Sequence, residues 1–216
     1  MHGFGCFDHL YAVSLSQKFL KSFMKLSSID VILSRRKDTM QNMGTLKAIA
    51  HFDLAAFRWI NARRFFMKMV FASRILSHLG NGPYYLAIGV ALFWFEPSYG
   101  NKFLTTGLIA FGIEVPLYLI LKNLIKRDRP FIVDQELIPW LTPSDKFSFP
   151  SGHTAAAFVM AMLVHSYYPG FDLFAYLLAS LIGAARIILG VHFPTDTLAG
   201  AALGTMSALI AINVIQ

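Results

Sequence analysis

Between Pro83 and Ile215 the chain falls into five apolar segments parted by short polar stretches: Pro83–Phe95, Phe103–Leu121, Thr154–Tyr168, Leu173–Leu189 and Thr197–Ile215. Crossing a bilayer takes about 20 residues, with a range of about 17–25. The second, fourth and fifth segments meet that length alone, and the first and third do so with their flanks. Apolar residues make up 56% of the 216 residues and charged residues only 14%. A soluble domain carries about 25% charged residues, so this chain has too few to cover a globule in water. The pattern predicts an all-α fold: a polytopic membrane bundle of about five transmembrane helices, multi-pass in the cell (inner) membrane, with the lipid bilayer as its partner. Gly200 and Gly204 form a small-xxx-small pair that lets a neighbouring helix approach the last segment closely. The single Cys excludes a disulfide framework within the chain and a Cys-rich metal site.

Charge divides the chain differently. Residues 1–82 hold 12 Lys and Arg against 4 acids, and residues 83–216 hold 7 against 8. Anionic headgroups attract such a basic segment, and beside an embedded domain they are the expected partner in place of nucleic acid. Residues 1–46 show no strong period. Their start, MHGFGCFDHL, lacks the basic, apolar and small-residue regions of a signal peptide. Residues 47–82 are apolar but broken by Arg58, Arg63, Arg64, Lys68 and Arg74. Two readings stand there: amphipathic helices at the membrane surface, or helices packed on the membrane domain. The expected organisation is thus 1–46 as a basic segment, 47–82 as amphipathic interfacial helices and 83–216 as the membrane domain.

Polar residues inside such a domain cost free energy, so their positions carry information. They gather in three places: Lys122 to Pro130, Pro150 to His153, and Arg186 to Asp196. Alternating spans put all three on one side of the membrane. Together they offer three cations (Lys122, Arg129, Arg186), two imidazoles (His153, His192), the carboxylate of Asp196 and a helix start at Ser151-Gly152. Cations and free N–H groups at a helix start suit a phosphate group. Glycine at 152 lets backbone approach an oxyanion. If the stretch is helical, His192 and Asp196 share a face. The carboxylate then fixes one imidazole nitrogen and leaves the other free to attack, while a second His protonates a leaving oxygen.

Lys122-x6-Arg129-Pro130, Pro150-Ser151-Gly152-His153 and Arg186-x5-His192-x3-Asp196 resemble, in order, the three signatures of the type 2 phosphatidic acid phosphatase (PAP2) superfamily. The resemblance covers roughly residues 83–215. It implies that Lys122, Arg129, Ser151, Gly152 and Arg186 bind phosphate, that His192 is the nucleophile, Asp196 its orienting partner and His153 the general acid. It also implies that no metal or other cofactor is needed. The third signature usually begins Ser-Arg. Here it reads Ala185-Arg186, so a hydroxyl is missing beside the phosphate-binding arginine.

The implied activity is hydrolysis of a lipid phosphate or diphosphate through a phosphohistidine. An isoprenyl (undecaprenyl) diphosphate is the first expectation and phosphatidate or phosphatidylglycerophosphate the second. A non-catalytic lipid-headgroup binding or transport protein would use the same cations without turnover. Glu114 is the one acid within a predicted span. It reads either as a partner on the Lys122 side or as a helix–helix contact. Lys126 and Arg127 read as headgroup cations. His165, Tyr167 and Tyr168 fall at the opposite interface. The positive-inside rule puts the active face in the cytoplasm, whereas bacterial relatives of this type that recycle isoprenyl diphosphates face outward.

Overall fold

The structure, a computed structural model, describes residues 44, 47–60, 67–143 and 145–215. The segment 1–46, apart from Gly44, lies outside the described residues, as do Arg63 and Arg64. The chain divides at His51/Phe52, and the unit beginning at Phe52 carries the site. Its helices are α1 (52–60, the later part of a helical stretch over 47–60), α2 (Met67–Leu79), α3 (Gly82–Phe95), α4 (Gly100–Ile125), α5 (Pro130–Val133), α6 (Gly152–Tyr167), α7 (Asp172–Ile188) and α8 (Pro194–Ile215). No strand occurs among the described residues. The fold is all-α, as the apolar segments require.

Among the described residues three stretches are long and apolar enough to cross a bilayer: Gly100–Val133, Pro169–Ile188 and Pro194–Ile215. They coincide with the three segments that meet the length unaided. The other two segments form shorter helices, α3 with 14 residues and α6 with 16. At 1.5 Å per residue α6 is about 24 Å long, short of the ~30 Å hydrocarbon core. It tolerates this because it sits inside the bundle, packed on α8, α7 and α4 and touching α3. Its polar start therefore meets protein and not lipid. The outer faces of the remaining helices are apolar, as at the exposed Leu86, Leu108, Leu119, Leu177 and Ile210.

The α6–α8 contact fixes the depth of the site. A Cβ on Gly200 would lie 2.4 Å from the Ser151 carbonyl oxygen, and one on Gly204 would lie 2.1 Å from that of Ala155. The backbones thus touch along the first turn of α6, where the small-xxx-small pair stands. Four terminal stretches end beside this contact. α4 closes on Lys126, which adopts the left-handed conformation (φ 50°) and donates its N–H to the Lys122 carbonyl. α7 closes through Gly190 (φ 82°), and the N–H groups of Gly190 and Val191 return to the carbonyls of Ile187 and Arg186. The starts of α6 and α8 complete the set. α2 packs on α7 with Val70, Ser73 and Ser77 inward and Met67, Phe71 and Ile75 outward. Its outer face thus mixes apolar side chains with Lys68, Arg74 and His78, and its inner face brings two hydroxyls to α7.

Gly204→Ala is expected to lower stability by about 1–3 kcal/mol, because the obstructing atom is backbone. Thermal unfolding in detergent measures this, and an unchanged midpoint would show that the helices separate freely.

Candidate active site

Lys122 occupies the last turn of α4, and Arg129 caps the start of α5 after a short extended stretch. Both are buried. Arg129 Nη1 donates to the Val191 carbonyl at 2.7 Å, which ties the first signature to the loop of the third. Ser151 is the N-cap of α6 without a side-chain cap bond. Its hydroxyl pairs with Thr154 Oγ1 at 2.9 Å, and its N–H donates to the Asp196 carbonyl at 3.0 Å. The N–H groups at the very start of α6, ahead of Ala155, have no intrahelical acceptor. Gly152 follows, where a Cβ would lie 2.9 Å from the Tyr118 ring. Arg186, in the last turn of α7, is also buried.

His192 and Asp196 meet, but not along one helical face. α8 begins at Pro194, so His192 stands in the loop before it. Asp196, in the first turn, reaches back. Its Oδ2 accepts the Phe193 N–H at 2.8 Å and lies 3.7 Å from His192 Nδ1. The sequence-based expectation of a shared helical face is corrected here, since Pro194 starts the helix two residues too late for it. Burial, then the charges of Arg186, Arg129 and Lys122, hold the imidazole of His192 well below the usual histidine range, and the Ser148 backbone opposes this only in part. Arg129, through its bond to the Val191 carbonyl, stands beside the residue that precedes His192. His153 Nε2 pairs with Asn81 Oδ1 at 2.9 Å.

The site also holds residues that sequence reasoning missed. Asp145 lies among the cations as an anion would. Its Oδ2 accepts from Lys122 Nζ at 2.5 Å and from the Tyr118 hydroxyl at 2.8 Å, and its Oδ1 accepts from Arg129. Burial pushes this carboxyl up, but the hydrogen bonds from Lys122 and Tyr118 and the two cations outweigh it and hold the group at about 2. Lys122 therefore pairs with Asp145 and Tyr118 and not with Glu114, which removes the reading of Glu114 as the Lys122 partner. Glu114 is buried and lines a cavity beside His153. Ser77 of α2 accepts from Arg186 Nη1 at 2.5 Å. A hydroxyl thus stands beside the arginine although Ala185 precedes it. Arg127, expected at headgroups, is bonded to Asp196 at 2.8 Å. No sequence pattern marks Asp145, Ser77 or Asn81, because their roles depend on loops and helices far away in the chain.

At one end of this helical membrane bundle lie three buried cations, the buried imidazole of His192, the half-buried one of His153 and a helix start, a set of groups that suits an anion. Residues 102–216 match the PAP2 superfamily, and the chain belongs to it. A crystal structure of Aquifex aeolicus LpxE is similar, with a TM-score of 0.66 and 32% identity over 74% of this chain and 94% of that one. A transmembrane PAP2-type phosphatidylglycerolphosphate phosphatase from Bacillus subtilis superposes with a TM-score of 0.62 and 27% identity, covering 77% of this chain and 86% of that one. The bacitracin transport permease protein BcrC of Bacillus licheniformis is 28% identical over 165 residues, which is 75% of this chain and 80% of that protein. The family is one of membrane lipid phosphatases.

Two outcomes follow from the charges. His192 should stay neutral as pH falls through the ordinary histidine value of ~6.5. A nitrogen-15 titration that finds it half-protonated at or above that value would contradict the burial and cation effects. Asp145→Asn should tighten inhibition by orthophosphate severalfold, because it removes a competing carboxylate. Unchanged or weaker inhibition would mean that Asp145 does not occupy the anion position.

Proposed function

We propose that this chain hydrolyses a lipid phosphate through a phosphohistidine on His192. The observation that carries this is the convergence of Lys122, Arg129, Arg186 and the start of α6 around a buried, neutral imidazole. Nδ1 of His192 faces Asp196, so Nε2 attacks phosphorus. The bond from phosphorus to the lipid oxygen breaks, and His153 protonates that oxygen as general acid. Water then attacks the phosphohistidine and gives a proton to His153, which releases orthophosphate and restores the free imidazole. Preorganised cations and N–H groups stabilise the charge that develops on the transferring group. The phosphate takes the place of the Asp145 carboxylate on Lys122 and Arg129. No metal enters any of these steps.

Two cavities support a lipid whose tail stays in the bilayer. One, of about 250 Å³, lies between α3, α4 and α6 and is lined by apolar residues such as Leu86, Phe103 and Leu163. The other, of about 240 Å³, is lined by Asn81, Glu114, Tyr118, Gly152 and His153. They share Gly82 and Phe111, so the order is phosphate, polar linker, tail. No cation lines the linker cavity among the described residues, and a carboxyl does. A second phosphate there would find no positive partner. This favours a phosphomonoester on a neutral linker, such as phosphatidate, over the isoprenyl diphosphate. The Bacillus subtilis structure, a phosphatidylglycerolphosphate phosphatase by name, supports a terminal phosphomonoester.

The test is phosphate release by the detergent-purified protein from phosphatidate and from undecaprenyl diphosphate, with chelator present and beside His192→Ala. Release that resists chelator, is lost in the variant and is faster from the monoester is the expected result. Faster release from the diphosphate would reverse the substrate reading. Binding of both lipids by folded protein without release would replace the enzyme with a binding or transport protein, the class that the name of BcrC suggests.

A further inference from the structure

Arg127 is one of the unspecified positions of the first signature, yet its guanidinium holds the back of the His192–Asp196 pair. Nη1 donates to Asp196 Oδ1 at 2.8 Å and to Thr195 Oγ1 at 2.7 Å. Nη2 donates to Asp53 Oδ2 at 2.5 Å. Asp53, on α1, is fully buried. Its Oδ1 accepts the Thr195 N–H at 3.0 Å, and its Oδ2 also accepts the Thr195 hydroxyl. The guanidinium lies 4.3 Å from the centre of the Phe193 ring, and Phe57 of α1 meets that ring edge-on at 5.6 Å. Residues 193–196 are thus clasped between α1 and the stretch that follows α4.

We propose that Asp53 and Arg127 are positioning residues for hydrolysis, acting on His192 through Asp196; this rests on His192 being the nucleophile. The geometry gives each oxygen of Asp196 one task. Arg127 takes Oδ1, so the carboxylate cannot rotate, and Oδ2 stays on the side of His192. A guanidinium that bridges two carboxylates suits this because it fixes a plane and not only a charge. Asp53 orients the guanidinium from behind and holds the Thr195 N–H, which sets the turn between His192 and α8. Burying two carboxylates with one arginine yields little net stability, because desolvation offsets their attraction. The main effect of the clasp is therefore on geometry. α1, which lies outside the residues that match the family, is then part of the catalytic unit.

The test compares Asp53→Asn, Arg127→Gln and Arg127→Lys with the wild-type protein in single-turnover formation of the phosphoenzyme and in inhibition by orthovanadate. Asp53→Asn and Arg127→Gln should slow phosphoenzyme formation by roughly tenfold to a hundredfold, the size of effect a misplaced reacting group produces. KM and vanadate inhibition should not change, because Lys122, Arg129 and Arg186 are untouched. Arg127→Lys keeps the charge but not the fork and should restore only part of the rate. In an Asp196→Asn background Asp53→Asn should have no further effect, since its route runs through Asp196. An unchanged rate, an equal loss in that background, or vanadate binding lost together with the rate would each overturn the proposal. If Arg127→Gln does not fold, the isosteric Asp53→Asn decides alone. Loss of phosphoenzyme in His192→Ala with wild-type rates in Asp53→Asn would remove the clasp and leave the nucleophile standing. Hydrolysis that survives His192→Ala would remove the nucleophile itself.

Discussion

Lys122, Arg129 and Arg186 are buried close together, and like charges in such a place repel one another and lack water. Much of the architecture answers that problem. Each cation arrives from a different terminal stretch: the end of α4, the start of α5 and the end of α7. Each is held by groups outside its own helix. Lys122 and Arg129 share Asp145, Arg129 also binds the Val191 carbonyl, and Arg186 binds Ser77. The free N–H groups of α6 add further positive potential, and the backbone contact at Gly200 and Gly204 keeps that helix start from withdrawing. A site so strongly positive is stable without phosphate because Asp145 supplies a carboxylate where the phosphate oxygens would lie. Burial and the same charges lower the proton affinity of the His192 imidazole, as the proposed attack requires. In the proposed reaction one electrostatic arrangement serves both the anion and the attacking nitrogen.

The sequence made the bundle legible because lipid allows few solutions. Apolar length, internal hydrogen bonding and alternation of spans together dictated helices and put the three polar clusters on one face. All eight site residues named from the signatures come together at that face. The pairing of His192 with Asp196 was legible as a contact but not as a shape, since Pro194 turns a supposed helical pair into a loop residue and a first-turn residue. Asp145, Ser77, Asn81 and Asp53 were not legible. Each is a common polar residue in an unremarkable local context, and its meaning comes from partners 16 to 142 positions away. Arg127 was visible but misassigned: in a run of charges at a helix end, sequence alone cannot separate a headgroup cation from a buried fork.

The basic N-terminal part changes its meaning in the structure. The surplus of Lys and Arg over residues 1–82 reads as attraction to headgroups. Yet Arg58 pairs with Asp134 at 2.8 Å, and Arg74 donates to the Trp140 carbonyl at 2.7 Å, both in the loop between α5 and α6. Asp53 binds Arg127, and Ser77 binds Arg186. α1 and α2 thus reach the loops of all three signatures. The missing serine before Arg186 belongs to the same account, because the hydroxyl beside that arginine comes from α2 and not from α7.

This bears on which side of the membrane the site faces. The positive-inside rule is informative where cations in loops have no other reason to be there. Lys122, Arg129 and Arg186 have a reason in the phosphate site. Arg127 now has one in its bonds to Asp53 and Asp196, and Arg58 and Arg74 have theirs in holding the loop between α5 and α6. Lys126 and Lys146 are then the cations left near the spans on the active face of the membrane domain, against Lys102 on the other. Within the membrane domain the asymmetry that pointed to the cytoplasm shrinks to a difference of one lysine, while ten further Lys and Arg of residues 1–82 keep their weight. An inward site therefore rests on the N-terminal cations and not on those of the membrane domain.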